Sequence, residues 1–324
     1  MSPEQKNNWQ PSAAIATLRK RADIIKSIRA FFYARNVLEV DTPLMCHTSV
    51  TDPFIQSIPV TYQPSLQKQP YYLQTSPEYM MKRLLAAGSG DIFQLCKAFR
   101  QDEVGQHHNP EFTMLEWYRL GFDHHKLMDE MDELLQMVLN VAPATRVTYA
   151  DLFQQQLNIN PHQTSVDELR DCAQAHSLNV PNDIDDIDTW LQLLSSECIE
   201  PNIGLDKPIF IYDFPASQAA LARIQPGNPP VAARFEVYFR GIELANGFHE
   251  LQDANEQRKR FENNLIERQK LELNLLPIDE YFLAALEHGL PDCAGVALGI
   301  DRLIMLACDA DKIADVVSFD VSRS

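Results

Sequence analysis

A chain of 324 residues, 45% hydrophobic and 23% charged, has the makeup of a globular protein with a sizeable core, which excludes a disordered chain. Acids outnumber bases 45 to 28, a net charge of −17, which argues against indiscriminate nucleic-acid binding. No apolar run approaches the roughly 20 residues of a membrane span, and Met1–Gln10 lacks the apolar stretch of a secretion signal, so a cytoplasmic location is expected. Cys46, Cys96, Cys172, Cys198, Cys293 and Cys308 form no CxxC pair and read as free thiols. The neighbouring pairs His107–His108 and His124–His125 point apart on regular elements and make no persuasive metal site.

In chain order, residues 1–12 read as a leader. Leu18, Ala22, Ile25, Ile28 and Phe32 recur at helical spacing and predict a helix over about 13–35. Leu38, Val40 and Leu44 alternate with polar residues, as in a strand that Pro43 confines to an edge or an end. A short strand at Tyr71–Gln74 precedes a helix to Ala87, with Ser76 as N-cap, Pro77 in its first turn and Gly88 as its stop. Strands over about 91–100 and 111–119 form a hairpin around the polar loop 101–110. A helix over 124–140 follows Asp123 as its cap. Residues 149–208 turn polar and acidic, with a cluster at Asp183–Asp188, and read as a small helical insertion in a single domain spanning 13–324. Strands resume at Pro208–Asp213 and over 234–250. A charged helix covers 253–273, and Asp292–Gly299 is a strand running into a helix from Ile300. Hairpins flanked by helices predict an α+β fold built on an antiparallel sheet.

Four segments place polar groups inside apolar strands. Arg100 ends a strand beside the loop, where a guanidinium suits phosphate oxygens; a solvated surface hairpin is the plainer reading. Period two puts Phe112, Met114, Glu116 and Tyr118 on one face, so Glu116 needs a cationic partner, either a substrate or a structural ion pair. A tight turn at Arg240-Gly241 sets Tyr238 opposite Glu243, which makes Glu236 and Glu243 diagonal neighbours. Two carboxylates so placed suit Mg²⁺ with phosphate oxygens; Glu243 and Glu250 could instead pair with lysines. Asn246, Phe248 and Glu250 continue by twos. Small residues alternate through Gly295, Ala297 and Gly299 and clear a strand face, and Arg302 then opens a helix whose N–H groups also attract anions. Neither a dinucleotide fingerprint nor a phosphate loop of the Gly-Lys type is present. Jointly, the four describe two arginines for a triphosphate, two carboxylates for Mg²⁺, Phe112 for a base, and the acids Glu78, Glu116 and Glu250 for a cationic substrate.

These residues resemble the class II aminoacyl-tRNA synthetases. The helix 13–35 with Leu38–Pro43 is similar to their motif 1, Phe99-Arg100-x-x-Glu103 through Phe112 to motif 2, and Gly295–Arg302 to motif 3. The strings Thr75-Ser76-Pro77-Glu78, His108-Asn109-Pro110-Glu111-Phe112-Thr113, Ile242-Glu243-Leu244-Ala245-Asn246-Gly247-Phe248 and Gly299-Ile300-Asp301-Arg302 are of the lysyl type. Two departures stand out. Motif 1 begins near residue 13, leaving no room for an anticodon-binding OB domain. Motif 3 also carries Ala297 where the lysyl enzymes have glycine. Both are similar to a truncated family of lysyl-synthetase paralogues, the elongation factor P–(R)-β-lysine ligases, as are Cys96, Pro201-Asn202-Ile203-Gly204 and Phe214-Pro215-Ala216-Ser217-Gln218.

The resemblance implies a class II catalytic core that uses ATP and Mg²⁺ to adenylate (R)-β-lysine or lysine. It further implies transfer of the amino acid to a lysine ε-amine of elongation factor P, a homodimer through motif 1, no stable tRNA binding and no membrane. Arg100 and Arg302 would be catalytic, acting on the α- and γ-phosphates. Gln101, Asp102, Glu103, His108, Asn109, Phe112, Glu243, Leu244 and Gly299 would complete the ATP site. Glu236 and Glu243 would ligate the metal. Ser76, Pro77, Glu78, Glu116, Tyr118, Asn246, Phe248, Glu250 and Ala297 would line the amino-acid site. The Ala297 methyl would crowd an α-amino group and favour a β-amino one, an effect of about 1–3 kcal/mol for one methyl in a tight pocket. Alternatives are a minimal lysyl-tRNA ligase, a ligase acting on another carrier, and a non-catalytic binding module. The basic residues Arg19, Lys20, Arg21, Arg258, Lys259 and Arg260 read either as a docking surface for the acceptor or as solvated helix faces.

Overall fold

A computed structural model describes residues 9–61, 70–101, 103–180 and 184–324. Asp102, Asp183 and residues 1–8 of the leader lie outside the described residues. The chain packs as two compact units. One comprises Met1–Gly121, Gln252–Asp292 and Ala297–Ser324, the other Phe122–Leu251 and Cys293–Val296.

In the first unit the helix Ile15–Tyr33 buries Ile28, Phe31 and Phe32. The Phe32 ring stacks on Phe93 at 4.7 Å and meets Trp117 edge-on at 5.2 Å. Those rings stand on one face of the expected hairpin, Ile92–Phe99 against Glu111–Leu120, whose register sets Gln94 opposite Glu116 and Ala98 opposite Phe112. The strand expected to reach Leu44 covers only Leu38–Glu39, parallel to Ile92–Phe99. The Val40 N–H makes one more bond, to the Phe93 carbonyl at 2.9 Å, and Pro43, further on, has no N–H to offer. Unforeseen is a small three-stranded sheet of Met45–Cys46, Tyr71–Leu73 and Pro59–Val60.

The next helix is Glu78–Ala86, one residue later at its start than the Ser76 cap implied. Pro77 occupies the cap position, and the Ser76 hydroxyl accepts only a long 3.4 Å bond from the Glu78 N–H. Gly88, at φ +87°, follows its end. The helices Ala254–Lys270 and Glu280–Gly289 complete this unit with Ile300–Ala307. Arg268, 1% exposed, donates to the carbonyls of Asn274 (2.8 Å) and Asp52 (2.9 Å) and to Gln56 Oε1 (3.0 Å). The Gln56 carbonyl in turn accepts the Gln101 N–H at 2.9 Å, so this buried arginine steadies the base of the 101–110 loop.

In the second unit Val231–Phe239 pairs antiparallel with Ile242–His249 and with Ile209–Pro215. The latter pairs parallel with Thr145–Thr148, a strand the sequence reading lacked. Arg240 at φ +53° and Gly241 at φ +72° make the expected two-residue turn, with Tyr238 opposite Glu243. Beyond it the ladder skips Leu244: Val237 faces Ala245, and Glu236 faces Asn246. This bulge shifts by one residue the register expected for Glu236. The helices Tyr149–Leu157, Val166–Ala175 and Ile187–Leu194 bury Phe153, Leu169, Trp190 and Leu194 in one cluster with Ile211, Phe214 and Tyr238. The helix His124–Leu139 is capped as expected, Asp123 accepting the Lys126 N–H at 2.8 Å.

Gly247 lies buried in Ile242–His249. A Cβ there would stand 2.5 Å from the Phe235 ring and 2.9 Å from Val296 Cβ. Gly247→Ala should lower the urea midpoint by the equivalent of about 1–3 kcal/mol, the usual cost of overpacking, with the slope unchanged.

Candidate active site

The first unit gathers the phosphate-type residues around one loop. Arg100 closes its base: the Arg100 N–H donates to the Pro110 carbonyl at 3.0 Å. Its guanidinium carbon stands 5.2 Å from the centre of the Phe112 ring, and its Nη1 lies 3.5 Å from Glu103 Oε1. At the tip, Gly105 and His108 pair with each other. Arg302, from the start of Ile300–Ala307, donates through Nε to the His107 carbonyl (3.2 Å), and its Nη2 lies 2.6 Å from His108 Nε2. Arg100, Glu103, His108, Phe112 and Arg302 therefore belong to one constellation. Gln101, exposed, lies at its base, and Gly299 immediately precedes the helix as its cap residue.

Burial first, and then the charge of Arg302, depress the pKa of both His107 and His108 below 6.5. A neutral His108 is the form that can accept the Arg302 N–H. A proton NMR titration should find His108 with a midpoint below 6.5, and Arg302→Gln should raise it.

Asn109, expected at the nucleotide, has its amide committed to main chain. Nδ2 donates to the Glu111 carbonyl (2.6 Å), and Oδ1 accepts the Val321 N–H (3.0 Å). Asp301, beside Arg302, is the residue that sequence reasoning missed. It is 2% exposed, accepts the Thr113 N–H at 2.8 Å and lies 2.7 Å from Arg21 Nη2. Arg21 Nη2 also donates to Thr113 Oγ1 at 2.9 Å. Three chain segments that resemble motifs 1, 2 and 3 thus meet in one buried ion pair. Four of the basic residues read as a docking surface or as solvated helix faces have partners within the chain. Arg21 is tied to Asp301, Lys20 to the Ala307 carbonyl, Arg258 to Glu280 and Arg260 to Glu256.

Of the amino-acid residues in the first unit, Glu116 and Tyr118 lie on the hairpin face away from Phe32. Glu116 is 2% exposed and accepts the Tyr118 hydroxyl at 2.7 Å. Burial, reinforced by Glu116, pushes the nearby Cys96 thiol up to about 12. Glu78 has a lysine of its own: Lys82 Nζ, itself buried, lies 2.6 Å from Glu78 Oε1. Such an i,i+4 partner was legible from spacing alone. Ser76 is half-buried and Pro77 buried at the entry to that helix, and Ala297 is half-buried in Cys293–Gly299.

In the second unit Glu236 lies between Arg234, a close ion pair, and the Tyr238 hydroxyl, which donates at 2.8 Å. Arg234 Nε also donates to Asn246 Oδ1 at 3.2 Å, and its guanidinium stands 4.4 Å from the Phe214 ring centre. Arg234 thus meets the charge of Glu236 for which sequence reasoning invoked a metal. Glu243, half-buried, faces Tyr238 across the turn. Burial, then Glu236 and Glu243, raise the Tyr238 pKa well above 10. Among the described residues no three His, Cys, Asp or Glu side chains gather as a metal centre. Two carboxylates suit Mg²⁺ only when phosphate oxygens and water complete its octahedron. Leu244 is buried at the bulge, Asn246 and Phe248 are half-buried, and Glu250 is 1% exposed. The Glu250 N–H donates to the Cys293 carbonyl at 3.0 Å, and Arg223 Nε to the Glu250 carbonyl at 3.2 Å.

The family described as tRNA synthetases class II (D, K and N) matches residues 8–323. A protein of Vibrio atlanticus is 54% identical over 321 residues, 98% of this chain and 99% of that protein. One of Pseudoalteromonas translucida is 54% identical over 322 residues, again 98% and 99%. One of Haemophilus influenzae is 52% identical over 320 residues, with the same coverage. All three are named elongation factor P–(R)-β-lysine ligase. Among the described residues no helix is long and apolar enough to cross a membrane.

Proposed function

The chain belongs to the class II tRNA synthetases of the D, K and N type, and from that premise we propose that it is an ATP-dependent, AMP-forming ligase that adenylates (R)-β-lysine, or lysine, and transfers it to a lysine ε-amine of elongation factor P. The observation that carries this reading is the match, over 98% of the chain, to relatives of that name. Arg100 over Phe112 supports the nucleotide half of it: a guanidinium beside an aromatic ring suits a phosphate next to a stacked base.

In the first step the substrate carboxylate attacks the α-phosphorus of ATP, and pyrophosphate leaves. Arg100 stabilises the charge that grows on the α-phosphate oxygens, and Phe112 stacks on adenine. Arg302 holds the γ-phosphate from its post on the loop tip, with Glu103 and His108 beside it. Glu116 and Glu250 neutralise the two substrate ammonium groups, with Tyr118, Asn246 and Phe248 shaping the site. Glu236 and Glu243 would hold Mg²⁺, which would supply charge neutralisation on the phosphates. In the second step the acceptor amine attacks the acyl carbon, an amide forms, AMP leaves and the amine loses its proton.

The same reading includes a homodimer. Ile15, Tyr33 and Leu38, each more than half exposed, put apolar surface on the helix and strand that resemble motif 1. It also includes a cytoplasmic site of action. The test is ATP–pyrophosphate exchange with (R)-β-lysine and with lysine, followed by mass analysis of elongation factor P. Exchange strongest with (R)-β-lysine, and one added β-lysyl group on the factor with release of AMP, are expected. Exchange favouring lysine with charging of tRNA would replace the reading by a minimal lysyl-tRNA ligase. No exchange would leave a binding module.

A further inference from the structure

The hairpin face that carries Glu116 also carries an amide that the site described above does not use. Gln94 stands directly opposite Glu116 in the antiparallel register, and directly paired residues project to the same face about 5 Å apart. Gln94 is 1% exposed. Its amide N–H side turns to the Cys96 thiol, and its Oε1 has no hydrogen-bond partner among the described residues. Leaving the carbonyl oxygen of a buried amide unmet is costly.

The neighbours sharpen the point. Cys96, two residues on, shares this face, and burial keeps its thiol neutral. The Cys96 sulfur already takes the Gln74 amide N–H at 3.3 Å, and Gln74 Nε2 also donates to the Lys97 carbonyl at 2.8 Å. One oxygen of Glu116 accepts the Tyr118 hydroxyl. A primary ammonium carries three N–H donors. A carboxylate already hydrogen-bonded by a tyrosine fits one ammonium better when a second, neutral acceptor stands beside it. A second carboxylate opposite Glu116 would repel it, whereas a glutamine oxygen adds an acceptor without charge.

We infer that Gln94 is a specificity-determining residue of the amino-acid site, its Oε1 accepting an N–H of the substrate ammonium group that Glu116 neutralises. This inference rests on the ligase reading for the identity of the substrate. It does not rest on catalysis, because the contact exists in the bound ground state.

Calorimetry of (R)-β-lysine and of lysine, without ATP, reads the contact directly. Pyrophosphate exchange run in parallel reads the reaction. Gln94→Met keeps length and loses the acceptor. It should weaken binding of the preferred isomer roughly tenfold or more, the usual scale for a lost hydrogen bond to a charged group, while the KM for ATP stays within about twofold and the thermal midpoint holds. Gln94→Asn, which retains an acceptor, guards against a variant that merely packs badly; it should bind more tightly than Gln94→Met. Unchanged Kd in Gln94→Met, or equal losses for the amino acid and ATP, overturns the inference. Binding that obeys these expectations with no exchange in the unaltered protein counts instead against the ligase reading. No binding of either isomer by the unaltered protein overturns both.

Discussion

Arg100→Ala should reduce ATP–pyrophosphate exchange by about 10²–10³-fold, mostly in kcat, the scale for removing a preorganised donor at developing charge. The guanidinium is already aimed. It stands 5.2 Å from the Phe112 ring centre, and its main-chain N–H is fixed to the Pro110 carbonyl at 3.0 Å. Little reorganisation is needed when charge builds on the α-phosphate. Arg100→Lys keeps the charge but loses the two-pronged geometry, so it should recover only part of the rate. Arg302→Ala should act differently. It removes the donor to the His107 carbonyl and the partner of His108 as well as a phosphate contact, so the KM for ATP should rise along with the fall in kcat. Steady-state kinetics on the three variants separate these outcomes. A normal kcat in Arg100→Ala would remove this residue from the chemistry.

Asp301→Ala should cost about 3–5 kcal/mol of stability, the range for breaking a buried ion pair from one side. The carboxylate meets the Thr113 N–H at 2.8 Å and Arg21 at 2.7 Å, with side-chain exposures of 3% for Asp301 and 14% for Arg21. Its removal strands a guanidinium and a buried strand N–H together. Urea unfolding measures the loss. The double variant with Arg21→Ala should be less destabilised than the sum of the two single ones, because the second removal takes away the stranded charge. Strict additivity would show that the pair is not coupled.

How much of this was legible depended on whether a residue's meaning is local. Alternation placed Ile92–Phe99 against Glu111–Leu120 because a half-buried strand shows period two. The Arg240-Gly241 turn was readable because a two-residue hairpin loop needs positive φ at both positions. The skipped Leu244 was not, since a bulge leaves no compositional trace. The helix Glu280–Gly289 carried its signal in Asp279, which caps it, and in Phe282, Leu283 and Leu286; that signal was overlooked. Asp301 was out of reach for a deeper reason. Its acceptor oxygens serve Thr113, 188 positions away, and Arg21 on the first helix. Arg21 looked like one more solvated basic residue until tertiary structure supplied the partner. Asn109 is a second long-range case. Its place in a family-like string points to adenosine, and its amide also holds the chain segment at Val321, a contact that no local pattern announces.

The way the 101–110 loop is fastened has a consequence for when the loop is set. The Gln106 carbonyl accepts the Ile313 N–H at 3.0 Å, its amide donates to Asp311 at 2.8 Å, and Asn109 takes the Val321 N–H at 3.0 Å. Translation delivers a chain from its N-terminus, so the loop leaves the ribosome long before its moorings, 205 residues ahead in the case of Gln106 and Asp311. A chain cut short before these moorings keeps the loop's local bonds, Arg100 to Pro110 and Gln101 to Gln56, and lacks these three. The loop's full fastening therefore follows the making of the segment that carries Asp311, Ile313 and Val321.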